Sequence, residues 1–411
     1  MEAPRFLPFF AMRKLKQVLN NLGPGLLLAA TGIGVGDMVA ATVVGAKYGF
    51  ILIWALAAGV LLKFIITEGL ARWQLATGTT LMEGWRDHLP PAVLLAFFGY
   101  FLIWTYFVSA ALVVTSAMVP AALFPGSSQP MWGFLHAILA AVLVYWGTYE
   151  RFVQIMKFMV ALMFSSLISA NLLILYSGAR WTPTEPAEIS FVYALSLIGG
   201  VGGTVTLLSY GYWMREQRWE GTGRVETVRS DLGVSFVIVF IFSFCLIFLS
   251  TQVGWEGDIL EEGPEFCIML ADRIAEETGA LGGIVFLLGF WGAAYSSVLG
   301  VWHGVPFLFD DWIHLWRRQK PQGHTGRPYR GFLIFMTLAS VSTVYLERPV
   351  WLVFVYTLVG ALFFPFIIST LLWMNNSPSR VGVPLRNRWP SNLLLTLSLL
   401  LFLYLGVRSF V

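Results

Sequence analysis

Residues 23–49 read GPGLLLAATGIGVGDMVAATVVGAKYG, and residues 199–204 read GGVGGT. Both stretches sit inside long apolar runs, and each gathers its glycines near the middle. A glycine in a helix interior costs roughly 1 kcal/mol relative to alanine. Three or four together therefore predict unwound backbone between two half-helices. Glycine also serves close packing in membrane helices, so one cluster is ambiguous. Two clusters, with GVGD at 34 echoed by GVGG at 200, point to a paired device. Free carbonyls and amides in a bilayer cost several kcal/mol each, so such backbone must face a cavity, water or an ion.

The surroundings are those of an integral membrane protein. Of 411 residues, 57% are hydrophobic and 12% charged, and the mean hydropathy is +0.73. A soluble domain carries about a quarter charged residues. The composition excludes a disordered, collagen-like or coiled-coil chain and a basic nucleic-acid-binding domain. About 20 apolar residues cross the hydrocarbon core. Eleven runs qualify, near 23–47, 50–76, 92–119, 131–148, 153–177, 190–213, 232–253, 280–304, 331–346, 350–374 and 391–409. The two glycine-broken runs are the first and the sixth. A repeat of five spans, an odd number, inserts its second copy in the opposite orientation. That predicts an inverted-repeat secondary transporter with substrate held at the midplane. The expected organisation is a tail at 1–22, repeats at 23–177 and 190–374, and an additional helix at 391–411.

Positive charge sets the orientation, because Lys- and Arg-rich loops stay cytoplasmic. With the N-terminus inside, 20 of the 26 Lys and Arg residues fall on the cytoplasmic side. Five fall outside, and Lys63 lies in mid-span. Eleven spans then put the C-terminus outside. The N-terminal stretch, with Arg13, Lys14 and Lys16 but no small-residue cleavage site, reads as a retained cytoplasmic tail. An outer loop from Trp255 to Thr278 carries Glu256, Asp258, Glu261, Glu262, Glu265, Asp272, Glu276 and Glu277. It either concentrates cations or is a solvated cap. Cys245 falls in an apolar run and Cys267 in this loop, so no disulfide is expected. His136 and His303 are isolated and read as packing or interfacial groups. The sequence carries no nucleophile–base constellation, phosphate loop or metalloprotease motif, and no enzymatic activity is expected.

The opening motifs resemble those of the Nramp family of divalent metal transporters. The similar features are Gly23-Pro24-Gly25 at the start of the first span, Gly45-Ala46-Lys47-Tyr48-Gly49 at its end, and Ala76-Thr77-Gly78 after the second. Gly203-Thr204-Val205 and, more weakly, Ser296-Ser297 extend the likeness over roughly 20–375. It implies an all-α fold of about eleven transmembrane helices with inverted five-helix repeats and broken first and sixth helices, as in the amino-acid-transporter-like superfamily. The family's metal-site motifs are altered here. Its Asp-Pro-Gly-Asn corresponds to Gly34-Val35-Gly36-Asp37, which moves the carboxylate to the Asn position, and its Met-Pro-His corresponds to Thr206-Leu207-Leu208. Without thioether or imidazole, the remaining oxygen donors suit a hard cation. The third span, whose acids carry protons in family members, has no charge between 92 and 119.

Asp37 is the first candidate for a binding residue, because a carboxylate near mid-membrane is costly unless paired. Its structural alternative is capping of the outer half-helix. Gly34, Gly36 and Gly203 supply unwound backbone, and Thr31, Thr204, Thr206 and Ser209 supply hydroxyls that could equally bond their own helices. Glu68 and Arg72 are four apart and can pair on one helix face, as a snorkelling structural pair or as a gate. Lys63 has no sequence-local partner and is a candidate contact for Asp37 or an anionic substrate. Ser296 and Ser297 are candidates for a sodium site, by analogy with related sodium-coupled transporters.

The expected function is alternating-access transport of a divalent cation, magnesium or manganese. A non-metal small solute, with sodium coupling, is the alternative on the same fold. No bound cofactor is expected: the divalent cation is substrate, with sodium or proton as coupling ion. The expected partners are the bilayer and the small ion, with no nucleic acid and no obligate protein partner.

Overall fold

The computed structural model describes residues 23–178, 191–253, 266–319, 322–343 and 349–408. The N-terminal tail, Arg180, Lys320, Arg348 and the loop acids Glu256, Asp258, Glu261, Glu262 and Glu265 lie outside the described residues. Every regular element among the described residues is a helix. The first run becomes α1 (Pro24–Gly32) and α2 (Val35–Tyr48), bent by 58° at the break. Then follow α3 (Ile53–Thr77), α4 (Leu81–His88), α5 (Pro91–Leu123), α6 (Gln129–Trp146) and α7 (Tyr149–Ser177). The sixth run becomes α8 (Phe191–Gly200), a short 3-10 turn (Val205–Leu208) and α9 (Ser209–Glu216). The remainder comprises α10 (Val225–Val253), α11 (Phe266–Thr278), α12 (Ala280–Arg317), α13 (Arg327–Thr343), α14 (Pro349–Ala361), α15 (Phe363–Met374), α16 (Pro378–Val381) and α17 (Trp389–Arg408).

Seven of these stretches are long and apolar enough to cross a membrane, and the bent first pair makes an eighth. Shorter helices occupy the ninth, tenth and eleventh runs. Apolar side chains are left outward in helical stripes, Leu135, Leu139 and Val142 on α6 and Leu393, Leu397 and Leu400 on α17 among them. A bilayer solvates such a belt; water does not.

Three elements depart from the expected boundaries. The eighth run, expected to end near 304, stays helical to Arg317, and the extension buries Asp310, Asp311 and His314. The tenth run is two helices joined at Leu362. Pro365 lacks an amide and its ring clashes with the carbonyl four residues back, at Ala361, where α14 stops. The second half of the acidic loop is helical. Leu270, Ala271 and Ile274 are buried on one side of α11 while Asp272, Arg273, Glu276 and Glu277 face out, the pattern of an amphipathic surface helix.

The long α12 is the central post, packed against α1, α5, α7, α11 and α13. Around it the two broken helices meet backbone to backbone. A Cβ built on Gly32 would lie 2.8 Å from the carbonyl carbon of Gly202, and one on Gly59 would lie 2.9 Å from Cα of Ile198. Neither neighbour is a side chain that could swing aside. Gly32→Ala is therefore expected to lower stability by about 1–3 kcal/mol through overpacking. Gly99→Ala, with nothing within 4 Å of its new methyl, leaves stability near the wild type. Thermal unfolding of the detergent-purified variants followed by size exclusion checks both.

Candidate functional site at the two helix breaks

The breaks form because the chain there cannot continue a helix cheaply. Past α8, Gly202 and Gly203 have φ of +81° and +86°. Side-chain-bearing residues avoid this left-handed region, and glycine enters it freely. At the first break, Gly34 takes the position before α2 in an extended conformation, and its amide turns back to the Gly32 carbonyl at 2.9 Å, outside the helical pattern.

Asp37 supplies a second acceptor. Its Oδ2 takes a hydrogen bond from the Gly34 amide at 3.1 Å, and its Oδ1 takes one from the Gly202 amide at 3.0 Å. One buried carboxylate thus caps its own half-helix and reaches across to the second break. Capping, one of the two roles that the sequence offers Asp37, is present, and the same side chain joins the two breaks. The hydroxyl of Tyr356 lies beside Gly36.

Lys63 enters from α3. Its side chain is fully buried, and Nζ donates to the carbonyls of Gly199 at 3.0 Å and Gly203 at 2.8 Å. The ammonium lies 4.0 Å from the ring centroid of Phe364 on α15, within cation–π range. Asp37 and Lys63 thus hold adjacent groups of the second break, the Gly202 amide and the Gly203 carbonyl. The structure therefore gathers Asp37, Gly34, Gly36, Lys63 and Gly203 at one place. Thr206 packs against Gly203, and Thr204 against Gly360 on α14.

The other candidates lie elsewhere. The Thr31 hydroxyl donates to its own helix at Leu27 O, 2.6 Å, and its side chain packs at Gly300. Ser209 packs against Gly304, its hydroxyl buried without a hydrogen-bond partner among the described residues. Ser296 and Ser297 on α12 donate to Ala30 O at 2.9 Å and Ile33 O at 3.0 Å, both on the first broken helix. His303 stacks on Phe152 with ring centroids 3.9 Å apart and accepts from the Trp213 indole, while His136 approaches Ser116 and Tyr295. Among the described residues no group of three or more His, Cys, Asp or Glu could hold a metal ion.

Glu68 and Arg72 belong to a second polar layer, toward the C-terminal end of α3. They pair at 3.1 Å as their spacing allows, and Glu68 also pairs with Arg229 on α10 at 3.0 Å. Arg72 continues to Leu385 O and to the Asn387 side chain. Nearby, Asp231 accepts from the amides of Gly23 and Gly25 and from Tyr210, which ties the start of α1 to α10 and α9. Asp311 accepts from Thr80 and Tyr212, and Glu83 pairs with Arg215. Sequence reasoning passed over Asp231 and Asp311 because each stood just beyond an apolar run. The available signal was the apolar pattern that continues around Asp310 and Asp311 in PFLFDDWIHLW.

A family model described as "Natural resistance-associated macrophage protein-like" matches residues 25–411. The chain belongs to the Nramp family. As a member of that transporter family it is a multi-pass membrane transporter of metal ions. Comparison with curated proteins by sequence returns no match. Among solved structures, the manganese transporter of Eremococcus coleocola is similar at 15% identity, with a TM-score of 0.75 over 100% of this chain and 88% of that one. Mhp1, a nucleobase-cation-symport-1 family transporter, is similar at 14% identity, with a TM-score of 0.60 over 85% and 77%. MhsT, solved with L-phenylalanine, has 15% identity and a TM-score of 0.54 over 92% and 98%. These likenesses establish the fold of the Nramp chain, with its broken first and sixth helices.

This second polar layer and its surroundings generate two expectations. Glu68→Ala leaves Arg72 buried with its carboxylate gone, at a cost of up to about 3 kcal/mol. It also loosens the closure over α9, so a cysteine at position 209, in a chain with Cys245 and Cys267 replaced, reacts with maleimide faster than in the Glu68 parent. His324, between α12 and α13, faces Glu216 at 3.5 Å, and that carboxylate raises its pKa. A raised folded-state pKa means stability present below the unfolded value and lost as pH rises through the folded one. Above about pH 6.5, the apparent melting temperature falls more in the wild type than in His324→Gln.

Proposed function

We propose that this Nramp-family chain moves a hard divalent cation, magnesium or manganese, by alternating access, with Asp37 as its carboxylate ligand at the bilayer midplane. The observation that carries the reading is the Asp37 carboxylate, buried where the two broken helices meet and held by the Gly34 and Gly202 amides. Oxygen is what the surroundings offer: carbonyls of the breaks and the Thr204 and Thr206 hydroxyls. Such donors suit ions that bind oxygen and retain water. The similarity to a manganese transporter supports a divalent cargo.

The repeats 23–177 and 190–374 would be the two bodies that rock about this site, with Glu68, Arg72 and Arg229 closing the cytoplasmic side. The positive charges support a cytoplasmic N-terminus and, with eleven spans, an external C-terminus. The chain works as a transporter and not as an enzyme, with no resident cofactor and no obligate partner beyond the bilayer and the ion.

Uptake of manganese and magnesium into proteoliposomes tests this. The wild type is expected to carry at least one of the two, and Asp37→Ala to lose at least nine-tenths of that flux while remaining folded. Absence of both fluxes in the wild type would overturn the assignment. Repeating the assay under imposed sodium and proton gradients assigns the coupling ion, and a sodium dependence abolished by Ser297→Ala is the signature of a site at Ser296 and Ser297.

A further inference from the structure

We propose that Lys63 is a tethered competitor for the transported cation, its ammonium occupying the carbonyl ligands that the cation needs. This inference rests on the midplane site proposed above. Lys63 is the eleventh residue of the 25-residue α3, about 15 Å from the helix start at 1.5 Å per residue. Its side chain is too short to snorkel to either interface. The charge must be satisfied in place, and it is satisfied by backbone that only the second break exposes.

The Gly199 carbonyl belongs to the last turn of α8, where the helix dipole presents negative charge and the next amides have turned away. The Gly203 carbonyl faces the same point from the far side of the left-handed pair. Lys63 Nζ donates to both, and the Phe364 ring closes a third side. The amide of Gly202, between these carbonyls in sequence, donates to Asp37. The ammonium therefore sits between two carbonyls of the second break, whose intervening amide holds the carboxylate of the site. A divalent ion that takes Asp37 together with these carbonyls must first displace Lys63, so the lysine sets which cations enter and how tightly.

A lysine that merely staples the break makes a different prediction from a lysine that competes. Calorimetric titration of the detergent-purified full-length chain with manganese and with magnesium separates them. Lys63→Met frees both carbonyls and is expected to bind at least one ion tenfold tighter than the wild type. Lys63→Arg keeps a fixed positive charge and is expected to bind no tighter than the wild type. Phe364→Leu leaves the lysine but removes the ring beneath it, and is expected to tighten binding two- to fivefold. It decides the question alone if Lys63→Met does not fold.

Affinity unchanged or weakened in the folded Lys63→Met protein, or unchanged in Phe364→Leu when that variant alone is available, overturns the competitor role. Wild-type flux that persists in that case leaves the transport assignment standing. Absence of flux and of binding in the wild type and in every variant removes both.

Discussion

A helix that stops inside a bilayer exposes amides on one side of the break and carbonyls on the other, and no lipid can pair either. Everything at the centre of this molecule answers that constraint. The carboxylate of Asp37 takes the amides of Gly34 and Gly202, and the ammonium of Lys63 takes the carbonyls of Gly199 and Gly203. Each charge complements the partial charge that its own break presents. Each also lowers the cost of burying the other, since two unit charges attract by about 4 kcal/mol at 4 Å and an effective dielectric near 20, and by less at greater separations. Removing either one leaves a buried charge and a set of unpaired backbone groups at the same time, so the two residues act as a unit.

The same Coulomb term acts with the opposite sign on cargo. A divalent cation placed beside an ammonium meets twice that repulsion, about 8 kcal/mol on the same assumptions. A site that keeps its lysine in place is therefore neutral and poorly attractive to metal, and one whose lysine has moved aside is acidic and oxygen-lined. Two states that differ by the position of one side chain provide the differential affinity that alternating access requires. Phe364 belongs to this logic because it stands at the start of α15, just past the interruption at Leu362 that Pro365 accompanies, with its ring against the ammonium.

Much of the fold was legible because membrane insertion leaves few options. Eleven apolar runs, two glycine clusters five spans apart and a one-sided distribution of Lys and Arg fix a fold class with little help from side-chain detail. The glycines were legible for two physical reasons that the structure separates: Gly202 and Gly203 permit a left-handed turn, whereas Gly32 and Gly59 permit backbone contact between helices. Asp37 and Lys63 stood out because a charge in mid-span is rarely there by accident. The partners of Lys63 were not legible. They are carbonyls, which every residue carries, and nothing in a sequence marks the ones that will be left unpaired.

The second polar layer was hidden for a related reason. Asp231 and Asp311 fall where an apolar run gives out, and charge at such a place is ordinarily solvated. Here the helices continue past the hydrophobic boundary and fold the acids inward, where Asp231 meets the N-terminus of α1 and Asp311 meets Thr80 and Tyr212. The inner half of each broken helix is consequently tied by a buried acid, α1 through its first amides and α9 through Tyr210 and Tyr212. Hydrogen bonds to a charged group are stronger than neutral ones but exchangeable for water once the layer opens. A closure built from such bonds, and not from interlocked apolar side chains, can separate into water without exposing hydrophobic surface. The midplane pair has no such outlet, because its partners are dry backbone. Opening of that layer would therefore loosen the α1 and α9 half-helices first, while Asp37 and the Gly32–Gly202 backbone contact still join the two breaks.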